Sequence, residues 1–192
     1  MTMARSVIPG STVMVTRRCV SRKFLLLPKG ELKRAIEFAL AWCASHYGVE
    51  LHVVNFMSNH FHLLLTDVRG VLPNFMRDFD QAVAACVHRT HRIKGQVFER
   101  GQYNVVRLVD EQAVWAKMVY VCVQAVEAGI VNRHEEWVGM RTRVDQVGVL
   151  QKNVSPVFGG VASDDVRLEF TIPPALRRYS PSVVREELQR LV

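Results

Sequence analysis

Met-Ser-Asn-His-Phe-His-Leu-Leu-Leu, residues 57–65, is the stretch of this sequence that decides the fold. Apolar and polar residues alternate along it with period two, which predicts a β-strand that carries His60 and His62 on the same face. Neutral imidazole is a common ligand of divalent metals, so two adjacent imidazoles suit one ion. Two ligands do not complete a site, and the alternative is a half-exposed strand face on which neither histidine has a role.

The segments around this strand predict an alternation of strands and helices. Strands are expected at residues 11–16, 51–57, 60–66 and 103–108, and helices at residues 31–47, 72–91 and 111–128. Ser58 and Asn59 form a short connection that makes a hairpin of the second and third strands. The order β-α-β-β-α-β-α predicts an α+β fold, a ferredoxin-like or RRM-like antiparallel sheet with two helices on one face and an added tyrosine-bearing helix.

The predicted domain ends near residue 142. The chain has 192 residues, of which 49% are hydrophobic, enough for one compact domain and an appendage. Residues 1–142 hold all the predicted strands and helices. Residues 143–192 lose periodicity among prolines and glycines, and we expect them to form an extension with little core of its own that is partly ordered against the domain.

Composition favours a nucleic-acid partner. The formal net charge is +7, which suits a polyanion better than an acidic small molecule. No run of about 18 apolar residues is present, and residues 1–10 lack the apolar core of a signal peptide, so we expect a cytoplasmic, nucleoid-associated protein without a membrane partner. The four cysteines are far apart in the sequence, which disfavours a zinc cluster and predicts reduced, buried thiols.

Positive charge concentrates in two segments, near residues 17–23 and 89–100, where aromatic residues such as Phe24 are interleaved with it. Such a mixture suits phosphate contacts combined with base stacking. The candidates for phosphate contacts are Arg17, Arg18, Arg22 and Arg100. The alternative is that both segments form ordinary solvated surfaces.

The third predicted helix is apolar almost everywhere except for one polar stripe. Its strongly polar residues between positions 114 and 128 are Lys117, Tyr120, Gln124 and Glu127. At about 100° per residue these four lie along one edge. If that edge crosses the histidine face, the carbonyl oxygen of Gln124 can complete a metal site beside the Tyr120 hydroxyl, with Glu127 as an alternative third ligand. Otherwise the stripe simply faces solvent.

These residues carry a resemblance to a known family. The strand Met-Ser-Asn-His-Phe-His-Leu-Leu is followed by Tyr-Val-Cys-Val-Gln-Ala-Val-Glu-Ala-Gly-Ile-Val at residues 120–131 and by Glu-Trp-Val-Gly at residues 136–139. Together with Val-Thr-Arg-Arg-Cys-Val-Ser-Arg-Lys-Phe-Leu-Leu at residues 15–26, this order resembles the single-tyrosine HUH transposases, in particular the REP-associated tyrosine transposases of bacteria. The resemblance covers about residues 13–141.

The resemblance implies roles for the motif residues. His60 and His62 would bind a divalent metal, Mg²⁺ or Mn²⁺, with Gln124 completing the metal shell, and Tyr120 would be the catalytic nucleophile. REP-associated members usually have Asn-Pro where this chain has Gln124 and Ala125. The insertion-sequence branch of the same class uses glutamine there, so the ligand role is retained.

The implied function is a metal-dependent single-stranded DNA transposase or endonuclease. It would cleave and rejoin DNA at hairpin-flanking sites through a 5′-phosphotyrosine intermediate, as a monomer or homodimer. Lys117, one turn before Tyr120, would favour the phenolate or hold a DNA phosphate. One alternative is a non-catalytic DNA-hairpin-binding protein derived from such a transposase. Another is a replication-initiation or relaxase-like nuclease, which would be expected to carry further domains.

Overall fold

A four-stranded antiparallel sheet organises the structure, a computed structural model that describes residues 7–28, 30–101, 103–158 and 164–192. Its strands are β1 (Ser11–Arg18), β2 (Val49–Phe56), β3 (His60–Asp67) and β4 (Asn104–Arg107), in the order β2-β3-β1-β4. The helices are α1 (Gly30–Tyr47), α2 (Leu72–His91), α3 (Glu111–Glu127) and α4 (Pro181–Leu191), and a small hairpin pairs β5 (Gln151–Val154) with β6 (Val166–Glu169). The predicted α+β class and the predicted order of the first seven elements are confirmed.

The two faces of the sheet carry separate cores. The face that includes Phe61 packs against α1 and α2, whereas the opposite face, which includes Leu64, packs against α3. This division follows from the period-two alternation of β3, which sends successive side chains to opposite faces. The expected pair of helices on one face, with the tyrosine-bearing helix added, is what the structure shows.

Aromatic side chains fix β3 on the α1/α2 side. The Phe61 ring stacks on Phe56 at 4.9 Å between centroids and meets Phe79 of α2 edge-on at 5.6 Å. All three rings are fully buried. Because β3 also pairs with β1 along its whole length and with β2 from Phe61 to Asp67, its backbone is held from three sides.

Asp110 caps the start of helix α3, and Gly129 follows its end. The Asp110 carboxylate accepts a hydrogen bond from the Ala113 N–H at 2.7 Å, and Gly129 beyond the end adopts a φ of 65°. The Asn55 side chain of β2 donates to the Val121 carbonyl oxygen at 2.8 Å, which ties the middle of α3 to the sheet. The tyrosine-bearing helix is therefore fixed in both position and rotation.

Described residues beyond 142 add to both cores. Leu168 of β6 joins the α1/α2 core, and Leu188 of α4 joins the α3 core. The Thr171 N–H donates to the Leu51 carbonyl oxygen of the edge strand β2 at 2.8 Å.

The sequence pattern did not indicate β5 or β6, because strands of four residues are too short to show a period. Helix α4 was missed as well, although Ser180 and Pro181 mark its start. Its buried Val184 and Leu188 are one helical turn apart, which is also a local signal. The boundary at residue 142 stays a prediction.

All four cysteines are free and buried, as expected. Burial raises the pKa of each thiol, to about 11 for Cys86 and to about 12 for Cys19, Cys43 and Cys122. Because the thiolate is the reactive form, these cysteines are chemically inert near neutral pH. Among the described residues, no helix combines the length and the apolar character that crossing a membrane requires.

Candidate metal and tyrosine site

The polar stripe of α3 crosses the histidine face of β3. The His60 and His62 rings lie 4.9 Å apart between centroids and nearly perpendicular, and the Tyr120 ring lies 5.4 Å from His62. Gln124 is only 8% exposed. The stripe therefore packs over the histidines at Tyr120 and Gln124 rather than facing solvent there.

His62 is held at both ring nitrogens. It is 2% exposed, its Nδ1 lies 2.9 Å from the hydroxyl oxygen of Thr16 on β1, and its Nε2 lies 3.1 Å from Oε1 of Gln124. Thr16 is opposite His62 in the β1–β3 register, so the strand pairing itself supplies this partner. The Thr16 contact fixes the ring plane and directs Nε2 toward α3.

The orientation of the Gln124 amide is set by its neighbour one turn later. Its Nε2 donates to a carboxylate oxygen of Glu127 at 2.9 Å. A carboxylate only accepts hydrogen bonds, so this contact directs the amide nitrogen outward and leaves Oε1 toward the histidines. Glu127 thus positions the proposed third ligand, and its use as an alternative ligand stays a prediction.

His60 is oriented by the preceding residue. Its Nδ1 lies 2.7 Å from Oδ1 of Asn59, whose amide nitrogen donates to the Arg22 carbonyl oxygen at 3.3 Å. The second contact identifies Oδ1 as an acceptor, so Nδ1 of His60 carries the proton and Nε2 keeps its lone pair. A ligand-competent nitrogen is thereby prepared in the free protein.

Both histidines are neutral at physiological pH. Burial, followed by the neighbouring His60, lowers the pKa of His62 to about 4. Burial and the nearby Arg18 guanidinium also lower the pKa of His60. Each ring therefore carries a single proton at neutral pH. On His62 that proton is on Nε2, which donates to Oε1 of Gln124, so metal binding through Nε2 would require the proton to move to Nδ1.

The donor set fits a divalent cation. Within the described residues no three His, Cys, Asp or Glu side chains cluster in a way that could hold an ion, so a three-ligand site there needs another donor type. Gln124 could provide it, because an amide oxygen is a ligand that Mg²⁺ and Mn²⁺ accept. Three protein ligands also leave coordination positions open for substrate oxygens.

Lys117 lies beside the phenol. Its Nζ stands 4.9 Å from the centroid of the Tyr120 ring, and both side chains are half-buried. The cation faces the π-surface of the ring, an arrangement that is attractive in its own right. The predicted proximity of Lys117 to Tyr120 is thus present in the structure.

Two adjacent arginines point to opposite faces of β1. Arg18 is exposed and pairs with His60 in register, so it borders the site. Arg17 pairs with Phe61 on the other face, where its Nε lies 2.8 Å from Asp80 and its guanidinium covers the Phe98 ring at 5.1 Å. The Arg17 side chain is only 12% exposed. The structure does not bring it to the site, and an internal ion pair accounts for it.

The other two predicted phosphate-binding residues are exposed and near the histidine end of the sheet. Arg22 is linked to His60 through Asn59. Arg100 follows Glu99, whose N–H donates to the Arg18 carbonyl oxygen at 3.1 Å. Positive charge therefore lies near the end of the sheet that carries the histidines.

A solved structure resembles this chain. The structure of a REP-associated tyrosine transposase bound to a REP hairpin matches it with a TM-score of 0.59 at 14% sequence identity, covering 71% of this chain and 79% of that chain. The chain has the fold of that transposase. A transposase candidate from Deinococcus radiodurans matches with a TM-score of 0.44 at 19% identity, over 67% of this chain and 97% of that one. No family model and no curated protein matches the sequence.

The structure also shows three orienting roles that sequence reasoning missed. Thr16, Asn59 and Glu127 orient His62, His60 and Gln124 in turn. Glu127 was named from the sequence only as an alternative ligand, and Asn59 stands next to the motif histidine, so local sequence could have indicated both roles. It could not have indicated the role of Thr16, because that contact depends on the β1–β3 register, which no local signal reveals.

Proposed function

We propose that this protein is a metal-dependent single-stranded DNA transposase or endonuclease that cleaves and rejoins DNA at hairpin-flanking sites. The observation that carries the proposal is the convergence of Tyr120 with His60, His62 and Gln124 on one sheet face. A poised tyrosine beside two neutral histidines and an oriented amide oxygen fits phosphoryl transfer better than a purely structural role. The similar fold of a hairpin-bound transposase supports DNA hairpins as the partner.

The proposed nucleophile is the Tyr120 hydroxyl. A phenol is a weak nucleophile at neutral pH, so attack by its oxygen needs a neighbouring positive charge. The Lys117 ammonium, 4.9 Å from the ring, is the nearby charge of the required sign. When bound, Mg²⁺ or Mn²⁺ supplies the charge that polarises the scissile phosphate.

The proposed reaction exchanges one phosphodiester for another. The Tyr120 oxygen forms a bond to phosphorus and loses its proton to solvent, while the bond from phosphorus to the 3′-oxygen breaks and that oxygen takes up a proton. The products are a 5′-phosphotyrosine and a free 3′-hydroxyl. Attack by the 3′-hydroxyl of a second strand reverses the chemistry and rejoins DNA without ATP, because no high-energy bond is consumed.

This chain's other residues hold and orient the reacting groups. His60, His62 and Gln124 are the proposed metal ligands, and Thr16, Asn59 and Glu127 keep them aligned. The proposed phosphate contacts come from Arg18, Arg22, Arg100 and Lys117. Our proposal includes a monomer or homodimer acting on the nucleoid in the cytoplasm.

A covalent-adduct assay tests the proposal. Wild type and Tyr120→Phe are incubated with Mn²⁺ and labelled single-stranded hairpins copied from the DNA that flanks the gene, and a denaturant-resistant protein–DNA band is sought. We expect a band that disappears in Tyr120→Phe, in His60→Ala and in EDTA. Tight hairpin binding without any band would instead support the non-catalytic hairpin-binding function.

A further inference from the structure

The loop between β1 and α1 carries a large aromatic side chain that the fold does not bury. Phe24 is 64% exposed, and its neighbours Arg22 and Lys23 are also exposed. In the described part of the chain no other aromatic ring packs on Phe24. Residues 20–25, called here the Phe24 loop, therefore present an apolar ring directly after two exposed cations.

The Phe24 loop is anchored to the histidine strand. The N–H groups of Cys19 and Leu26, which bracket the loop, donate to the carbonyl oxygens of Asn59 and Ser58, both at 2.8 Å. Asn59 also donates from its side chain to the Arg22 carbonyl oxygen and accepts from Nδ1 of His60. One residue thus links the loop to a proposed metal ligand.

The far side of the loop is also tied down. Nε2 of His91, at the end of α2, lies 3.0 Å from the Leu25 carbonyl oxygen and donates to it. The exposed aromatic ring therefore stands on a backbone held at both ends.

The backbone of the loop is held in an uncommon conformation. Ser21 and Arg22 have φ values of 51° and 54°, in the left-handed region that residues other than glycine rarely occupy. Such conformations persist where surrounding contacts enforce them, and they concentrate at functional sites. The consecutive left-handed residues turn the chain just before Lys23 and Phe24.

We propose that the Phe24 loop holds the single-stranded DNA next to the scissile phosphate, with Phe24 stacking on a base and Arg22 and Lys23 contacting backbone phosphates. Every base offers a π-face, and an aromatic ring next to two cations can contact a base and the phosphates beside it on a single strand. The inference takes its substrate from the proposed function. It adds a DNA-binding residue, Phe24. It also adds a path for the DNA strand, which would run from His60 past Asn59 to the Phe24 loop.

Binding of two probes to the full chain tests this inference. One probe is a fluorescent DNA hairpin with an unpaired oligo(dT) tail of about ten nucleotides, and the other is the same hairpin without the tail. The tail is placed in turn at the 5′ and the 3′ end. We expect Phe24→Ala to weaken binding of one tailed probe by about five- to hundredfold and to leave the tailless probe unchanged.

Two further variants separate stacking from general damage. Phe24→Trp keeps an aromatic face, so it should retain most of the affinity for the tailed probe. Val109→Ala removes an equally exposed apolar side chain (72% exposed) beyond β4, at the opposite end of the sheet, and should change neither probe. The inference is overturned if Phe24→Ala binds tailed probes like wild type, if it weakens both probes equally, or if Phe24→Trp binds as weakly as Phe24→Ala.

Salt dependence tests the two cations. Arg22→Ala and Lys23→Ala should each reduce the slope of log affinity against log salt for the tailed probe by about 0.7. Arg167→Ala, an exposed arginine on the β5–β6 hairpin, is the matched control and should leave the slope unchanged. An unchanged slope in both loop variants would remove the phosphate contacts from the inference.

The outcomes distinguish this inference from the function on which it rests. A Tyr120-dependent adduct with tail binding that ignores Phe24 would overturn the loop's role and leave the transposase function standing. Phe24-dependent tail binding without any adduct would overturn the transposase function and leave the loop's role standing. Absence of binding to every probe would overturn the loop's role as a single-strand contact.

Discussion

Alternate residues of the eight-residue strand β3 form its two faces, and these faces have opposite chemistry. On the α1/α2 face, Phe61 is surrounded by other rings and makes no polar contact. On the α3 face, His62 is equally buried but both its ring nitrogens have polar partners. The first face stabilises the fold through close packing, whereas the second depends on matched hydrogen bonds, since a buried polar group without a partner is costly.

The largest expected effect on stability is on the aromatic face. Phe61→Ala removes a fully buried ring from contact with Phe56, Phe79 and Phe98, so we expect the free energy of unfolding to fall by about 3–5 kcal/mol. Denaturant unfolding measures this loss. Phe61→Leu, which retains most of the apolar volume, is the control and should lose clearly less. Equal losses in both variants would show that ring packing is not what holds this face.

On the histidine face, a substitution should reduce activity strongly and stability only slightly. His60→Ala removes a proposed ligand that is half-buried and lies at the start of β3, so adduct formation should fall on the order of a hundredfold or more. Its free energy of unfolding should change by only about 1 kcal/mol, because little apolar area is lost. A variant that folds normally and retains wild-type adduct formation would contradict the assignment of His60 as a ligand.

The same face contains a second buried histidine that makes folding sensitive to acid. His52 is fully buried between Thr66 and Thr171, and burial lowers its pKa to about 3. The unfolded chain takes up this proton near pH 6.5 and the folded chain does not, so the contribution to stability is complete above pH 6.5 and is lost as pH falls toward 3.

Unfolding measured at two pH values tests the His52 effect. Between pH 6.5 and pH 5, protonation of His52 in the unfolded chain should lower the wild type's free energy of unfolding by about 1–2 kcal/mol. His52→Gln cannot take up the proton, so its free energy of unfolding should fall less over that interval, even though its stability at pH 7 is lower. Other histidines contribute to both proteins and cancel in the difference. Parallel pH profiles would contradict the prediction.

The smallest expected effect comes from the residue that orients Gln124. Glu127→Gln can present an amide nitrogen instead of an acceptor and so lets the Gln124 amide rotate, and we expect the apparent Mn²⁺ affinity in the adduct assay to fall about tenfold. Glu127→Asp keeps the carboxylate and should recover part of that loss. Because Glu127 is exposed, stability should hardly change. An identical Mn²⁺ dependence in wild type and Glu127→Gln would show that the amide is oriented by other contacts.

Local periodicity was sufficient for most of the domain. Every strand and helix predicted before residue 128 is present, with ends that differ from the prediction by at most two residues. The alternation at residues 60–65 assigned each side chain of β3 to a face, and the helical spacing of Lys117, Tyr120, Gln124 and Glu127 placed them on one edge of α3. Both inferences need only the geometry of a single element, which the sequence carries directly.

The sequence by itself determined the order of elements, the face of each strand residue and the residue types of the candidate site. Tertiary structure alone decided that α3 lies across the histidines, that Thr16 pairs with His62 and that Arg17 turns away to Asp80. These outcomes depend on register and on helix placement, which arise from contacts between residues far apart in the chain and leave no local period. The short strands β5 and β6 belong to the same class, because they are stabilised by the cores that the earlier elements provide. Helix α4 does not, because its capping serine and its apolar spacing are local signals in the sequence.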